Sequence, residues 1–272
     1  MNKKKLKKRA FIASLAAIVI VGTTAAFLTS TDTADNSFEI AEVNLEISES
    51  FKEDQILSAG QIIQKEPYVK NTGTVEQIFF VEVSVPCMET TLVDEHGQRI
   101  DPKGTTTISS NADYKQLAEI FDLLADGNNV VTHEGDPDSK YGEIHYNAPT
   151  DTPSATAGWV YLGQTGKEEK YKNKEDFLDG TYNTYLFGYS AWVEPDEVTR
   201  PVFDKLRLRS MVDAEITSGT IGQVTVTAYT IQKSDLNVEG VSEADGTAEK
   251  PYTKEQLEKL SKIIDNKNKE VS

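Results

Sequence analysis

Apolar and polar residues alternate along much of the chain. Over 38–48, Phe38, Ile40, Val43, Leu45 and Ile47 are spaced by Asn, Glu or Ser through most of the stretch. A period near two sends one set of side chains to a core and the other to water, as in a half-buried strand. Residues 78–85 read Ile-Phe-Phe-Val-Glu-Val-Ser-Val and stop at Pro86; β-branched and aromatic residues ended by a proline predict a second strand there. Further strands are predicted at 157–162, 182–193, 202–208 and 224–231. The last, Val-Thr-Val-Thr-Ala-Tyr-Thr-Ile, alternates most regularly and predicts an antiparallel strand with one buried face.

Two segments switch to helical spacing. Tyr114, Leu117, Ile120, Phe121 and Leu124 recur three or four apart, with Ser110 or Asn111 available as a cap and Gly127 as a stop, and predict an inserted helix. Thr253 and Gln256 stand three apart just before Leu257, Leu260, Ile263 and Ile264. That is a capping box opening an amphipathic C-terminal helix, whose narrow apolar stripe suits packing on a sheet. Residues 128–156 and 234–250 are poor in large apolar side chains and read as a long loop and a linker. The pattern predicts a mainly β chain, an antiparallel β-sandwich carrying one inserted and one C-terminal helix.

The first residues change the picture of where the chain works. Lys3, Lys4, Lys5, Lys7, Lys8 and Arg9 precede an apolar stretch, 10–26, that holds no acid or base. It ends in Thr24-Ala25-Ala26, small side chains that suit a signal peptidase. We read 1–26 as a signal peptide cleaved between Ala26 and Phe27; an uncleaved membrane anchor is the alternative, disfavoured by Ser14, Gly22, Thr23 and Thr24 within the run. The domain reading is then 1–26 leader, 27–233 β-sandwich with a loop and helix insertion around 86–156, and 234–272 linker and helix.

Cleavage removes six positive charges and takes the formal charge from −16 to −22. So acidic a surface repels nucleic acid and anionic lipid, leaving the membrane as a transient contact of the leader. Cys87 is the single cysteine, so no intramolecular disulfide forms and a buried thiol is expected.

Candidate chemistry is sparse. The three histidines, His96, His133 and His145, fall in turn-like sequence, and no His-Glu-x-x-His pair is present. His133, Glu134 and His145, with Glu143 beside the last, flank an acidic loop and are the candidates for a zinc site. Asp136-x-Asp138 opens like a calcium loop, but Lys140 and Tyr141 stand where an oxygen ligand and a glycine are needed. No Gly-x-Ser-x-Gly or phosphate-binding glycine loop occurs. The expectation is a protein with no catalytic residue set and no required cofactor, zinc and calcium being the metals to test.

Several segments in order carry a family resemblance. They are Ile-Val-Ile-Val-Gly-Thr-Thr-Ala-Ala-Phe-Leu-Thr from Ile18, and Thr-Ala-Asp-Asn-Ser-Phe from Thr33. Ala-Gly-Gln-Ile-Ile-Gln-Lys-Glu-Pro-Tyr-Val-Lys-Asn-Thr-Gly-Thr from Ala59 follows. Glu-Val-Thr-Arg-Pro-Val-Phe-Asp-Lys-Leu from Glu197 and Val-Thr-Ala-Tyr-Thr-Ile-Gln from Val226 complete the set. Together they resemble the exported proteins processed by the SipW-type signal peptidase of Gram-positive bacteria, which include TasA-type matrix fibre proteins and camelysin-like proteins. The resemblance spans scattered segments within 27–85 and 182–232. A single glycine, Gly22, near the end of the hydrophobic run and Ala59-Gly60 in place of Pro-Gly depart from the usual pattern.

The resemblance implies a jelly-roll-like sandwich, secretion to the cell surface or a biofilm matrix, and assembly with itself or related subunits by strand addition. On that reading the freed arm at 27–36, with Phe27, Leu28, Thr29 and Asn36, is the donor strand; a frayed or self-docked terminus is its alternative. The Asn71-Thr72-Gly73-Thr74 segment is expected to form a tight structural turn. A camelysin-like surface metalloendopeptidase and an adhesive module binding through the 128–156 loop are the competing functions.

Overall fold

The computed structural model describes residues 45–48, 59–94, 96–99, 116–127, 129–131, 141–150, 156–166, 181–211, 224–233, 236 and 238–270. The leader at 1–26, its cleavage point between Ala26 and Phe27, the arm at 27–36, and His133 and Glu134 lie outside them.

Among the described residues the strands are β1 Leu45–Ser48, β2 Ile62–Gln64, β3 Tyr68–Asn71, β4 Gln77–Thr90, β5 Gln116–Glu119, β6 Phe121–Leu124, β7 Asn129–Val130, β8 His145–Tyr146, β9 Trp159–Gly166, β10 Thr181–Tyr189, β11 Lys205–Leu208 and β12 Thr225–Gln232. One helix follows, α1 Lys254–Glu270. The strands pair antiparallel throughout. The larger sheet runs β12-β4-β10-β9, with β5 against the far end of β4; the smaller runs β2-β11-β6. The fold is a mainly β, antiparallel sandwich with a C-terminal helix, and its sheets include a curled half-barrel.

Strand alternation explains the layering. On β4, Phe79, Val81, Val83 and Val85 point to one side and join Tyr185, Phe187, Tyr189, Val226, Ala228 and Trp159 in a core shared with Leu206 and Leu208 of the small sheet. Ile78 and Phe80 point to the opposite side and meet Leu257 and Leu260 of α1, with Ile231, Trp192 and Tyr252 closing that second cluster. Both faces of the large sheet are therefore covered, one by strands and one by the helix. Burying each of these large apolar side chains contributes roughly 1.5–3 kcal/mol.

The helix docks where Gly188 leaves room. A Cβ there would lie 3.1 Å from Phe80, 3.3 Å from Leu162 and 3.3 Å from Leu257. The capping box forms as expected: Gln256 N–H donates to Thr253 Oγ1 at 3.3 Å and Thr253 N–H donates to Gln256 Oε1 at 2.9 Å. Thr253→Ala should cost about 1 kcal/mol, read as a lower urea midpoint at unchanged m-value. The linker ahead of the helix is tied down, because Trp192 Nε1 donates to the Asp245 carbonyl at 2.9 Å and Tyr252 Oη donates to that of Ser242 at 3.0 Å.

Two expectations need correction. Residues 116–124 are not a helix but the strands β5 and β6, each paired in a different sheet; the expected caps at Ser110 and Asn111 lie outside the described residues. β4 also does not stop at Pro86 but continues to Thr90. β12 pairs with β4 as far as Ser84 and β5 takes over from Cys87, so Pro86 sits in the gap between the two neighbours. Its missing N–H falls where no ladder bond is required, and its carbonyl still accepts from Ile120 N–H at 3.0 Å.

The Asn71 turn is structural. Its buried side chain donates to the carbonyls of Val75 and Val193, both at 2.8 Å, and accepts from Gly73 N–H at 2.9 Å. The segment read as a long loop, 128–156, carries β7 and β8 and places Ile144 and Val131 in the core.

Candidate functional site

β5 and β6 are separated by Ile120 alone, and each carries one buried acid, Glu119 and Asp122. Glu119 is fully buried. Its Oε1 accepts from the Tyr185 hydroxyl and, at 2.7 Å, from Asn183 Nδ2, both on β10. Its Oε2 accepts from the backbone N–H of Gly142 at 2.7 Å. Asp122 Oδ1 accepts from the next backbone amide, that of Glu143, at 2.9 Å. Two successive N–H groups of one segment are thus held by two successive interior carboxylates.

Two arginines balance these acids. Arg207 and Arg209 lie two apart on and just beyond β11, so their side chains leave the same face. Arg207 Nε donates to Asp122 Oδ2 at 2.7 Å and its Nη2 donates to Glu143 Oε2 at 3.1 Å. Arg209 Nε lies 3.6 Å from Asp122 Oδ1, and its Nη1 donates to the Glu119 carbonyl at 3.0 Å. Burial opposes the charge on both guanidiniums. At Arg207 the hydrogen bonds and attraction of Asp122 and Glu143 outweigh it and raise the pKa, whereas the more deeply buried Arg209 is lowered.

Burial dominates at Glu119 too. It pushes the carboxyl up from 4.5 to about 7, against the hydrogen bonds from Tyr185, Asn183 and Gly142 and the attraction of Arg209. Burial and the neighbouring Glu119 raise the Tyr185 hydroxyl well above its ordinary range, so it remains a donor. A carboxyl titrating near neutrality has the proton affinity of a general acid or base. Here both its oxygens are engaged by protein donors, which makes it a structural clamp.

Of the residues expected to bind metal, His145 and its neighbour Glu143 are described, whereas His133 and Glu134 are not. His145 Nε2 lies 3.6 Å from Glu143 Oε2, the oxygen that Arg207 also contacts. Among the described residues no group of three or more His, Cys, Asp or Glu side chains is placed to hold a metal ion. Cys87 is buried, as expected, opposite Glu119 in the β4 and β5 register. Glu119, Asp122, Arg207 and Arg209 were not singled out by the sequence, since their partners stand up to 90 positions away.

The large sheet also has two unlike edges. On β9 the register with β10 shifts twice, and Gly163 sits in this irregular stretch at φ 151°. The N–H of Trp159 is already bonded to the Asn147 carbonyl at 2.9 Å. β12, at the other edge, keeps one register with β4 over its full length, from Thr225 opposite Ser84 to Gln232 opposite Gln77. Its sequence, Thr-Val-Thr-Ala-Tyr-Thr-Ile-Gln, has no charge and no proline. No protein-family model, curated protein or solved structure matches the chain.

Proposed function

We propose that the chain is an exported structural protein, a subunit or accessory of a TasA-type extracellular fibre, which assembles by adding the 27–36 arm of one copy to a sheet edge of the next. The observation that carries this reading is β12. Outer strands are ordinarily blunted by charge, proline or bulges because a regular edge templates pairing with another chain. β9 has such a defence and β12 lacks one, in a chain of which 26% is charged. β1, the first described strand after the arm in the chain, approaches β12.

The protein beginning at Phe27 is expected to form filaments above a threshold concentration, seen by negative-stain microscopy. Deleting 27–36 should abolish them. Thr227→Lys, which sets a charge at an exposed position of β12, should raise the threshold at least tenfold with unchanged circular dichroism. Normal polymerisation by both variants would remove the mechanism. Stoichiometric zinc with casein cleavage lost on chelation would favour the metalloendopeptidase instead.

A further inference from the structure

Glu119 adds a polar tie between two parts of the molecule that also meet through the core, where Ile144 is buried and the Tyr146 and Phe187 rings lie 5.3 Å apart. Tyr185 and Asn183 belong to β10, at the centre of the large sheet, whereas Gly142 opens the 141–146 segment that returns to the sandwich ahead of β8. Gly142 is there because nothing larger fits. A Cβ would lie 2.4 Å from the Phe121 carbonyl oxygen and 3.1 Å from both Glu119 Oε2 and Asp122 Oδ1. The segment therefore seals Glu119 with bare backbone.

We propose that Glu119 is a proton-operated clasp: proton uptake at its carboxyl tightens the closure of the 141–146 segment over the sandwich, and proton loss loosens it. With the segment in place, the carboxylate charge is cut off from water, and among the described residues three hydrogen bonds and Arg209 offset the loss. With the segment lifted, water solvates the charge. The charged form favours the hydrated, open arrangement and the neutral form the closed one, by linkage. Because burial raises the closed-state pKa from 4.5 to about 7, closure strengthens as pH falls through about 7 and the gain is complete below about 4.5.

The groups facing this carboxyl in the described structure differ in what they contribute. Tyr185 on β10 stays protonated, and Arg209 beyond β11 stays charged, since guanidinium does not deprotonate in proteins. Asp122 on β6 is engaged by Arg207 and Arg209, Glu143 by Arg207, and Cys87 faces Glu119 from β4. Histidine is the side chain whose charge ordinarily changes in the same pH range, and His145 touches Glu143. It is the control.

Amide hydrogen exchange at Gly142 and Glu143, corrected for intrinsic pH dependence, tests this in the intact chain between pH 8 and pH 5. Protection should rise at least tenfold as pH falls in wild type and in His145→Asn, and should stay flat in Glu119→Gln. A flat wild-type profile, or the same slope in Glu119→Gln, overturns the clasp. Should Glu119→Gln fail to fold, the carbon-13 shift of the wild-type Glu119 carboxyl decides. A midpoint near 7 that tracks Gly142 protection supports the clasp, and one near 4.5 overturns it.

Discussion

Trp159→Ala should lower the melting temperature by on the order of 10 °C and leave the sandwich close to its stability limit. Trp159 starts the edge strand β9, yet it is fully buried in the core between the two sheets. Its ring packs edge-on to Tyr189 with centroids 5.1 Å apart, and its Nε1 donates to the Arg200 carbonyl at 2.8 Å. Truncating a buried tryptophan to alanine costs about 3–5 kcal/mol through lost transfer energy and the cavity left behind. The orphaned carbonyl adds about 1 kcal/mol or more. Domains are stable by only about 5–15 kcal/mol, so this is a large share. For a domain of about 200 residues each kcal/mol moves the melting point by about 2–4 °C, which sets the size of the shift. Calorimetry checks it, with Trp159→Phe, which keeps most of the volume and loses the hydrogen bond, expected to fall between. A loss below about 1 kcal/mol would show that the ring does not anchor the core.

The second large effect is local. Gly188→Leu should dislodge α1 while the sheets persist. Around Gly188, β10 is bonded on one side to β4 and on the other to β9. Those strands cannot separate without breaking ladder bonds, so the side chain must press on Phe80, Leu162 and Leu257, and of these only Leu257 belongs to an element that can leave the sheet. A detached helix of 17 residues is marginal in water on its own. Its helical circular dichroism should disappear, Ile78 and Phe80 should become exposed, and the 238–253 stretch should become sensitive to protease. Gly188→Ala, whose contacts of 3.1–3.3 Å require only small shifts, should cost about 1 kcal/mol and keep the helix. A folded, protease-resistant helix in Gly188→Leu would mean that α1 slides along the sheet rather than leaving it.

The misreading of 116–124 shows where local pattern fails. Leu117, Ile120, Phe121 and Leu124 have helical spacing, but the chain passes from the large sheet to the small one at Ile120. Residues at such a crossing are buried on both sides, as Ala118, Ile120, Phe121 and Leu123 are. Period two disappears, and an accidental period near 3.6 takes its place. Glu119 and Asp122, which a helix would turn to water, are instead enclosed. The partners that make this tolerable, Gly142, Asn183 and Arg209, are 23, 64 and 90 residues from Glu119. No spacing rule along the chain reaches that far.

Local strand patterns, alternation at β1 and β12 and β-branched and aromatic content at β4, were enough to find these strands and the segments of β9, β10 and β11, because each residue's side is decided by its own backbone. Thr253 and Gln256 marked the start of α1 for the same reason, since a capping box closes within one turn. The mainly β class and the terminal helix were therefore determined by the sequence alone. Long-range pairing decided the rest: which proline could lie in mid-strand, which acids lost contact with water and which edge stayed regular. Each depends on what another part of the chain places alongside, and hydration, burial and edge pairing are properties of that neighbour as much as of the residue itself.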